Sequence, residues 1–203
     1  VEKMRTKISR DLHDDLGSTL SSISILSGQV KSRLIKQPET VEPILDKINE
    51  SAIKMNDSLQ DLVWAVKPEN DTLQELLVRM EQFASGILES KNINYTFTGP
   101  TTVSDIKLNP ELIRNIYLIF KEAVNNAAKY SNCANVTITI KEKGKQLSLS
   151  VIDDGIGFNP ETVKRGNGLN NMTKRAAQIG GSLNIISEPN KQSGIVLECK
   201  ITS

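Results

Sequence analysis

The stretch that decides the fold runs Leu147-Ser148-Leu149-Ser150-Val151-Ile152-Asp153-Asp154-Gly155-Ile156-Gly157-Phe158. Residues 147–152 read as an apolar strand. Asp153 stands at its end, where a carboxylate is held nearly buried, and a buried carboxylate needs a partner. The exocyclic amine of adenine is a suitable donor. Gly155 and Gly157 let the backbone approach a flat base closely or take a positive φ. The competing reading is a plain hairpin turn, because Asp-Gly is itself a strong turn signal.

Working outward, Val136 to Lys141 is a second strand, separated from the first by a tight turn at Gly144. Gly166-Asn167-Gly168-Leu169 opens a helix that ends at Gly180-Gly181. The free N–H groups at such a start suit phosphate. The stretch is neither a P-loop nor a dinucleotide fingerprint, since no Gly-Lys-Ser/Thr follows. A flexible loop before a helix explains it equally. Lys164 and Arg165, just upstream, are readable as phosphate contacts or as a solvated loop. Strands over Leu183 to Ser187 and Ile195 to Thr202 close the chain, and Asn94 to Thr98 is a further short strand. Asn109-Pro110-Glu111 predicts a helix start, an Asn cap followed by Pro at the first helical position. On the helix that follows, Glu122, Asn126 and Lys129 share one face at i, i+4 and i+7, beside an apolar face of Ile113, Ile116, Phe120, Ala123 and Ala127. A carboxylate, a carboxamide and an ammonium so aligned can hold hydrated Mg²⁺ and its phosphate oxygens. Taken alone, the same face is also an ordinary solvated one.

The first third of the chain has another rhythm. Leu12, Leu16, Leu20, Ile23, Leu26, Val30 and Leu34 recur at steps of three or four up to Gln37-Pro38. From about Thr40, the positions Val41, Leu45, Ile48, Ala52, Met55, Leu59, Leu62 and Val66 alternate steps of four and three, a heptad seam. Two such helices make an antiparallel hairpin, and a hairpin buries only one stripe, so two copies are expected to dimerise into four helices. Lys67-Pro68-Glu69-Asn70-Asp71 marks the boundary, and a helix from Thr72 to Ser90 follows it. The expected organisation is thus an α-helical hairpin over residues 1–68 and an α+β two-layer sandwich over 69–203. His13, the sole histidine, lies one residue beyond Leu12 at the edge of the apolar stripe. Most lone histidines are exposed surface residues. Here Asp14 follows directly, and a carboxylate beside one ring nitrogen fixes the tautomer and raises the nucleophilicity of the other.

Composition narrows the classes further. A hydrophobic fraction of 38% supports a packed core and excludes a disordered chain. A net charge of +1 offers no electrostatic case for nucleic acid, membrane surface or acidic substrate. Cys133 and Cys199 have no metal-like or disulfide-framework spacing, which suits a reducing compartment. No apolar run reaches the ~20 residues of a membrane span, and there is no signal peptide. The chain starts at Val1, so a piece of a longer protein is expected, cytoplasmic itself and tied to a membrane only through segments upstream.

The elements around Glu122 and Asn126, around Asp153, Gly155 and Gly157, and around Gly166 and Gly168 follow one another in the order and spacing of three boxes. Together they resemble the N, G1 and G2 boxes of the GHKL (Bergerat-fold) ATPases, a superfamily that includes sensor histidine kinases, MutL and gyrase B. The resemblance implies ATP and Mg²⁺ as cofactors. It places Asn126 on the metal, Asp153 on adenine, Gly155 and Gly157 along the base, and Gly166, Gly168 and Leu169 at the phosphates. The run Arg10-Asp11-Leu12-His13-Asp14-Asp15-Leu16-Gly17 is similar to the H box of histidine kinases that partner LuxR/NarL-type response regulators, and Leu62 to Glu69 resembles the end of their second dimerisation helix. The implied activity is transfer of a phosphoryl group from ATP to His13, prepared by Asp14, and onward to an aspartate of a receiver domain. The rival readings are another GHKL protein kinase and an ATP-sensing dimeric scaffold without phosphotransfer. Two departures stand out. Ser18 occupies the place where the family usually carries Gln or Asn to position water for dephosphorylation, which puts phosphatase activity in doubt. Gly194-Ile195 stands where the family often has Gly-Thr, whose hydroxyl serves the adenine site.

Overall fold

A computed structural model describes residues 19–31, 33, 40–66, 72–101, 107–159, 167–189 and 191–201. His13, Asp14, Ser18, the junction 67–71 and the loop through Gly166 therefore lie outside the described residues. The chain divides into two compact units, Val1–Lys67 and Pro68–Ser203.

In the first unit residues 19–31 are helical (α1), and α2 runs Glu42–Val66. The seam is not uniform. Val41 and Ile44 are buried, and Ile48 and Met55 are half-buried. Leu45, Ala52 and Leu59, spaced a heptad apart, face outward, with Leu45 50% exposed. One stripe of α2 therefore remains uncovered.

The second unit is a sheet with helices on one side. Its order is α3 (Leu73–Glu89), β1 (Asn94–Thr98), α4 (Pro110–Tyr130), β2 (Asn135–Lys143), β3 (Gln146–Asp153), α5 (Asn167–Gln178), β4 (Ser182–Ser187) and β5 (Ser193–Lys200). The five strands lie in the order β1-β2-β3-β5-β4. Only β1 and β2 are parallel, and the remaining pairs are antiparallel. A parallel pair needs a crossover, and α4 supplies it.

Local chemistry starts α3 and α4. The Thr72 hydroxyl accepts from Glu75 N–H at 3.3 Å and donates to the Glu75 carboxylate at 3.0 Å, a form of capping box. Asn109 Oδ1 accepts from Glu111 N–H at 2.8 Å, with Pro110 in the first turn. The β2–β3 connection is two residues, Gly144 and Lys145, and Gly144 takes a φ of 60°. The strands run longer than their apolar cores alone predict, because ladder pairing carries β2 and β3 out to Lys143 and Gln146. β5 ends at Lys200 and not Thr202.

α4 is the centre of the helical layer. It packs against α3, α5 and β3, so burial extends beyond the stripe read from sequence to Leu112, Ile119 and Val124. Phe120 is fully buried, and its ring meets Phe83 edge-on at 6.3 Å. Arg79 lies 4.7 Å from the centroid of Tyr117 and Lys121 5.4 Å from that of Phe83, so cations cover the aromatic seam between α3 and α4. From the sheet, Val136, Ile138 and Ile140 on β2, Leu147, Leu149 and Val151 on β3, and Ile195, Leu197 and Cys199 on β5 are buried in alternation.

Asp154 joins β3 to the start of β2. Its Oδ1 accepts from the Ala134 and Asn135 amides, each at 2.9 Å, and its Oδ2 from Asn135 Nδ2 at 2.7 Å. The Asn135 side chain and these amides hold the Asp154 carboxyl below the ordinary aspartate value of 3.8. A carboxyl lowered on folding contributes stability that is complete above that ordinary value and is lost as pH falls through the lowered one.

Two outcomes follow. Phe120→Ala should cost about 3–5 kcal/mol in urea unfolding, the usual range for emptying a fully buried aromatic site. Asp154→Ala should have a lower unfolding midpoint than the parent at neutral pH. That gap should narrow below pH 3.8, as the parent loses the same contribution; a gap that stays constant into acid would contradict the clamp.

Candidate functional site

Two inward rows of the sheet change character at the same end. On β3 the row is Leu147, Leu149, Val151, then Asp153; on β5 it is Cys199, Leu197, Ile195, then Ser193. Asp153 and Ser193 are cross-strand partners. Each is about 6% exposed, although both are polar. Ser193 Oγ donates to Asp153 Oδ2 at 2.9 Å, and Gly155 N–H donates to Asp153 Oδ1 at 3.0 Å. Both carboxylate oxygens are thus held, as burial requires.

Above this polar end lies a cavity of about 590 Å³, between the sheet and the helices α4 and α5. That volume is within the range of small-molecule and cofactor sites. Glu122 and Asn126 line it from α4, Asp153 and Val151 from β3, Gly168 and Leu169 from the start of α5, and Ser193 and Ile195 from β5. Gly157 and the half-exposed Ile156 complete one wall. Six of the residues singled out from sequence, Glu122, Asn126, Asp153, Gly157, Gly168 and Leu169, therefore surround one space.

Three glycines are explained by close approach, each to a different neighbour. A Cβ on Gly168 would collide with the Glu122 carboxylate, so the start of α5 sits directly against α4. Gly157 has a φ of 59°, and a Cβ there would run into the backbone oxygens of Glu188 and Lys191 at the β4–β5 turn. Phe158 N–H donates to Ser187 Oγ at 2.7 Å, which ties the same segment to the end of β4. Gly155, expected along the base, is not on the cavity lining. Its missing side chain makes room for Ser131, whose Cβ would lie 2.7 Å away and whose carbonyl accepts from Ile156 N–H at 2.8 Å. The close approach is to the C-terminal end of α4.

Lys129, expected to share the face of Glu122 and Asn126, is exposed and absent from the lining. The lining stripe on α4 runs through Glu122, Ala123, Asn126, Ala127 and Tyr130, advancing around the helix by about one position every two turns. Lys129 falls on the solvent side of that stripe. Conversely, Ser193 was not singled out from sequence. Its signal was a hydroxyl next to Gly194 in a strand read as starting at Ile195, and only the register with Asp153 gives it a place in the site.

Among the described residues no group of three His, Cys, Asp or Glu side chains is arranged to hold a metal. Mg²⁺ keeps several waters and binds through one or two protein oxygens plus phosphates. The carboxylate of Glu122 and the carboxamide of Asn126, one turn apart on α4 and both on the cavity wall, fit that donor set. The two cysteines do not enter the site: burial raises the Cys133 thiol and pushes Cys199 up to about 11.

Residues 111–203 match the family model described as Histidine kinase-, DNA gyrase B-, and HSP90-like ATPase. Residues 5–88 match a second model, described as Histidine kinase. The sensor histidine kinase LiaS of Bacillus subtilis is 25% identical over 202 residues, covering 99% of this chain and 54% of LiaS. The sensor protein VraS of Staphylococcus aureus is 27% identical over 206 residues, covering 98% of this chain and 56% of VraS. The chain thus spans little more than half the length of these relatives, and 35% of an uncharacterised sensor-like histidine kinase from Chloroflexus aurantiacus. Among solved structures, the Acinetobacter baumannii histidine kinase AdeS superposes with a TM-score of 0.61 at 16% identity, over 90% of this chain and 96% of that one. Full-length ShkA in complex with AMPPNP gives 0.63 at 17% identity, over 98% of this chain and 46% of that one. These likenesses show the fold: a helical histidine-kinase region followed by the GHKL sheet-and-helix domain. The chain thus joins a segment that matches the Histidine kinase model to one that matches the Histidine kinase-, DNA gyrase B-, and HSP90-like ATPase model, and the two together take up most of its length.

Proposed function

We propose that the chain is the catalytic core of a two-component sensor kinase. It binds ATP in the cavity of the second unit, transfers the γ-phosphoryl group to a nitrogen of His13, and passes it to an aspartate on a response-regulator receiver domain of the LuxR/NarL type. The observation that carries the reading is the buried Asp153 at the floor of a cavity that Glu122 and Asn126 also line. Asp153 accepts the adenine amine. The apolar lining, Val151 and Ile195 among it, receives the base. The first turn of α5, beginning at Asn167 with Gly168, presents its backbone N–H groups to the phosphates. Asn126, with Glu122 beside it, holds the metal.

In the transfer the γ-phosphorus–oxygen bond breaks and ADP leaves. A phosphorus–nitrogen bond forms on the His13 imidazole, and one imidazole proton is released. Such a step needs little covalent help from the protein; positioning and charge neutralisation carry it. Mg²⁺ supplies neutralisation of the triphosphate when bound. Asp14, next in sequence to His13, fixes the ring tautomer. Gly166, with Gly168, belongs to the phosphate-facing loop in this reading.

The chain acts as a homodimer. Leu45, Ala52 and Leu59 leave an apolar line along α2, with Leu20 and Ile25 exposed on α1. A second copy covers that line in a four-helix bundle. Among the described residues no helix is long and apolar enough to cross a membrane. We place this core in the cytoplasm, as part of a longer sensor of the kind its relatives' lengths suggest.

Incubation with γ-labelled ATP and Mg²⁺ should label the chain with phosphate that is lost in acid and kept in base. His13→Gln should abolish the label while leaving ATP affinity unchanged. Acid-stable label would indicate a hydroxyl kinase, and no label a scaffold; either overturns the proposal. Sedimentation at micromolar concentration should give a dimer. A stable species at the 22.4 kDa chain mass would contradict the bundle.

A further inference from the structure

The nucleotide reading asks the first turn of α5 to meet the phosphates but leaves open what holds that turn at the right height along α4. We propose that Asn115 and Arg175 are the positioning pair of the phosphate site: their contact locks the axial register of α5 on α4 and so keeps the first turn of α5 in reach of the triphosphate. The inference rests on the nucleotide reading and deepens it.

The two helices meet as matched stripes. On α4 the stripe is Asn115, Ile119 and Glu122; on α5 it is Gly168, Met172 and Arg175. Each advances by four residues and then three, the spacing of one helix face. At one end Gly168 lies against the Glu122 carboxylate. At the other, Arg175 Nη1 donates to Asn115 Oδ1 at 3.5 Å, a long hydrogen bond that brings a positive charge to the amide oxygen. The two contacts are seven residues apart on each helix. The helices therefore run antiparallel, and the second contact lies two turns, roughly 10 Å, from the first. Ile119 and Met172, both fully buried, stand at the middle positions.

The rest of this seam does not fix a height. Apolar burial is non-directional, and methionine fills irregular space readily. Gly168 admits the Glu122 carboxylate but has no side chain with which to hold it. Asn115 differs. It is 4% exposed, on a helix whose Leu112, Ile116 and Ile119 are buried beside it, and asparagine is a poor helix former. Its Nδ2 donates to the Glu111 carbonyl at 2.9 Å, which turns the amide so that Oδ1 meets Arg175. A guanidinium offers its N–H groups in a fixed plane, so the pair favours one height. A slip of one residue would move the first turn of α5 by about 1.5 Å, whereas hydrogen bonds to phosphate tolerate only a few tenths of an ångström. The base, seated between β3 and β5, does not depend on that height.

The test is displacement of a fluorescent ATP analogue from the full chain by ATP with Mg²⁺ and, separately, by adenosine, which carries the base and no phosphate. Asn115→Leu, an apolar near-isostere, and Arg175→Met should each weaken ATP roughly three- to tenfold, the size of one net hydrogen bond. Adenosine should be unchanged, so the ratio of the two affinities falls by the same factor. The double variant should fall no further than either single one, as a coupled pair requires. Asn115→Asp, which keeps an oxygen for the guanidinium, should keep the parental ratio. A role confined to folding would weaken both ligands alike. That result, a parental ratio in Asn115→Leu and Arg175→Met, additive losses in the double variant, or a ratio in Asn115→Asp as low as in Asn115→Leu overturns the proposal. Should Asn115→Leu not fold, the ratio in Arg175→Met decides. Asp153→Asn separates the two levels. If it leaves ATP and adenosine both unchanged, the nucleotide reading itself fails; if it weakens both while the Asn115 and Arg175 variants keep the parental ratio, only the lock fails.

Discussion

Everything around the site depends on one interaction: the Asp153 carboxylate, buried at the end of the central strand and held by Ser193 and the Gly155 amide. A polar group so placed costs free energy unless every lone pair it loses to water is replaced. The sheet meets that demand by ending two adjacent apolar rows in polar residues at matching register. The same arrangement forces the chain after β3 to turn sharply. Gly155 passes against Ser131, and Gly157 passes against the β4–β5 turn. The carboxylate, the ends of α4 and β4 and one cavity wall are therefore a single mechanical unit.

The opposite wall follows from α4. Packed on the sheet and flanked by α3 and α5, it turns one stripe, from Glu122 to Tyr130, toward the cavity. Glu122 and Asn126 occupy that stripe, and Gly168 brings the start of α5 against Glu122. The site combines an apolar slot for a base, a buried acceptor at its floor, and hard oxygen donors near a helix N-terminus. That is the combination a nucleoside triphosphate calls for. The first unit answers a different need. Its outward Leu45, Ala52 and Leu59 form the apolar line that the proposed second copy covers.

Much of this was legible in the residues because it rests on local rules. Asn109-Pro110 announced α4 through capping chemistry, and period-two alternation announced β2 and β3. Asp153 was legible because a carboxylate ends an apolar run. What was not legible depends on pairing between distant segments. Ser193 acquires its meaning from a partner 40 residues away, which no local pattern reports. The approach of Gly155 to Ser131 likewise depends on a segment far away in the chain. Lys129 shares a helix face with Glu122 and Asn126, but spacing alone does not say on which side of that face the cavity lies. The heptad seam of α2 likewise read as uniform, while the fold covers Val41 and Ile44 and leaves Leu45 outside.

The most direct measurement of the central claim is a crystal structure of the chain with a non-hydrolysable ATP analogue and Mg²⁺. The account predicts the base in the slot beside Val151 and Ile195, its 6-amino group within hydrogen-bonding distance of Asp153, and the phosphates between Asn126 and the first turn of α5. A nucleotide seated elsewhere, or a base whose amino group does not meet Asp153, would contradict it.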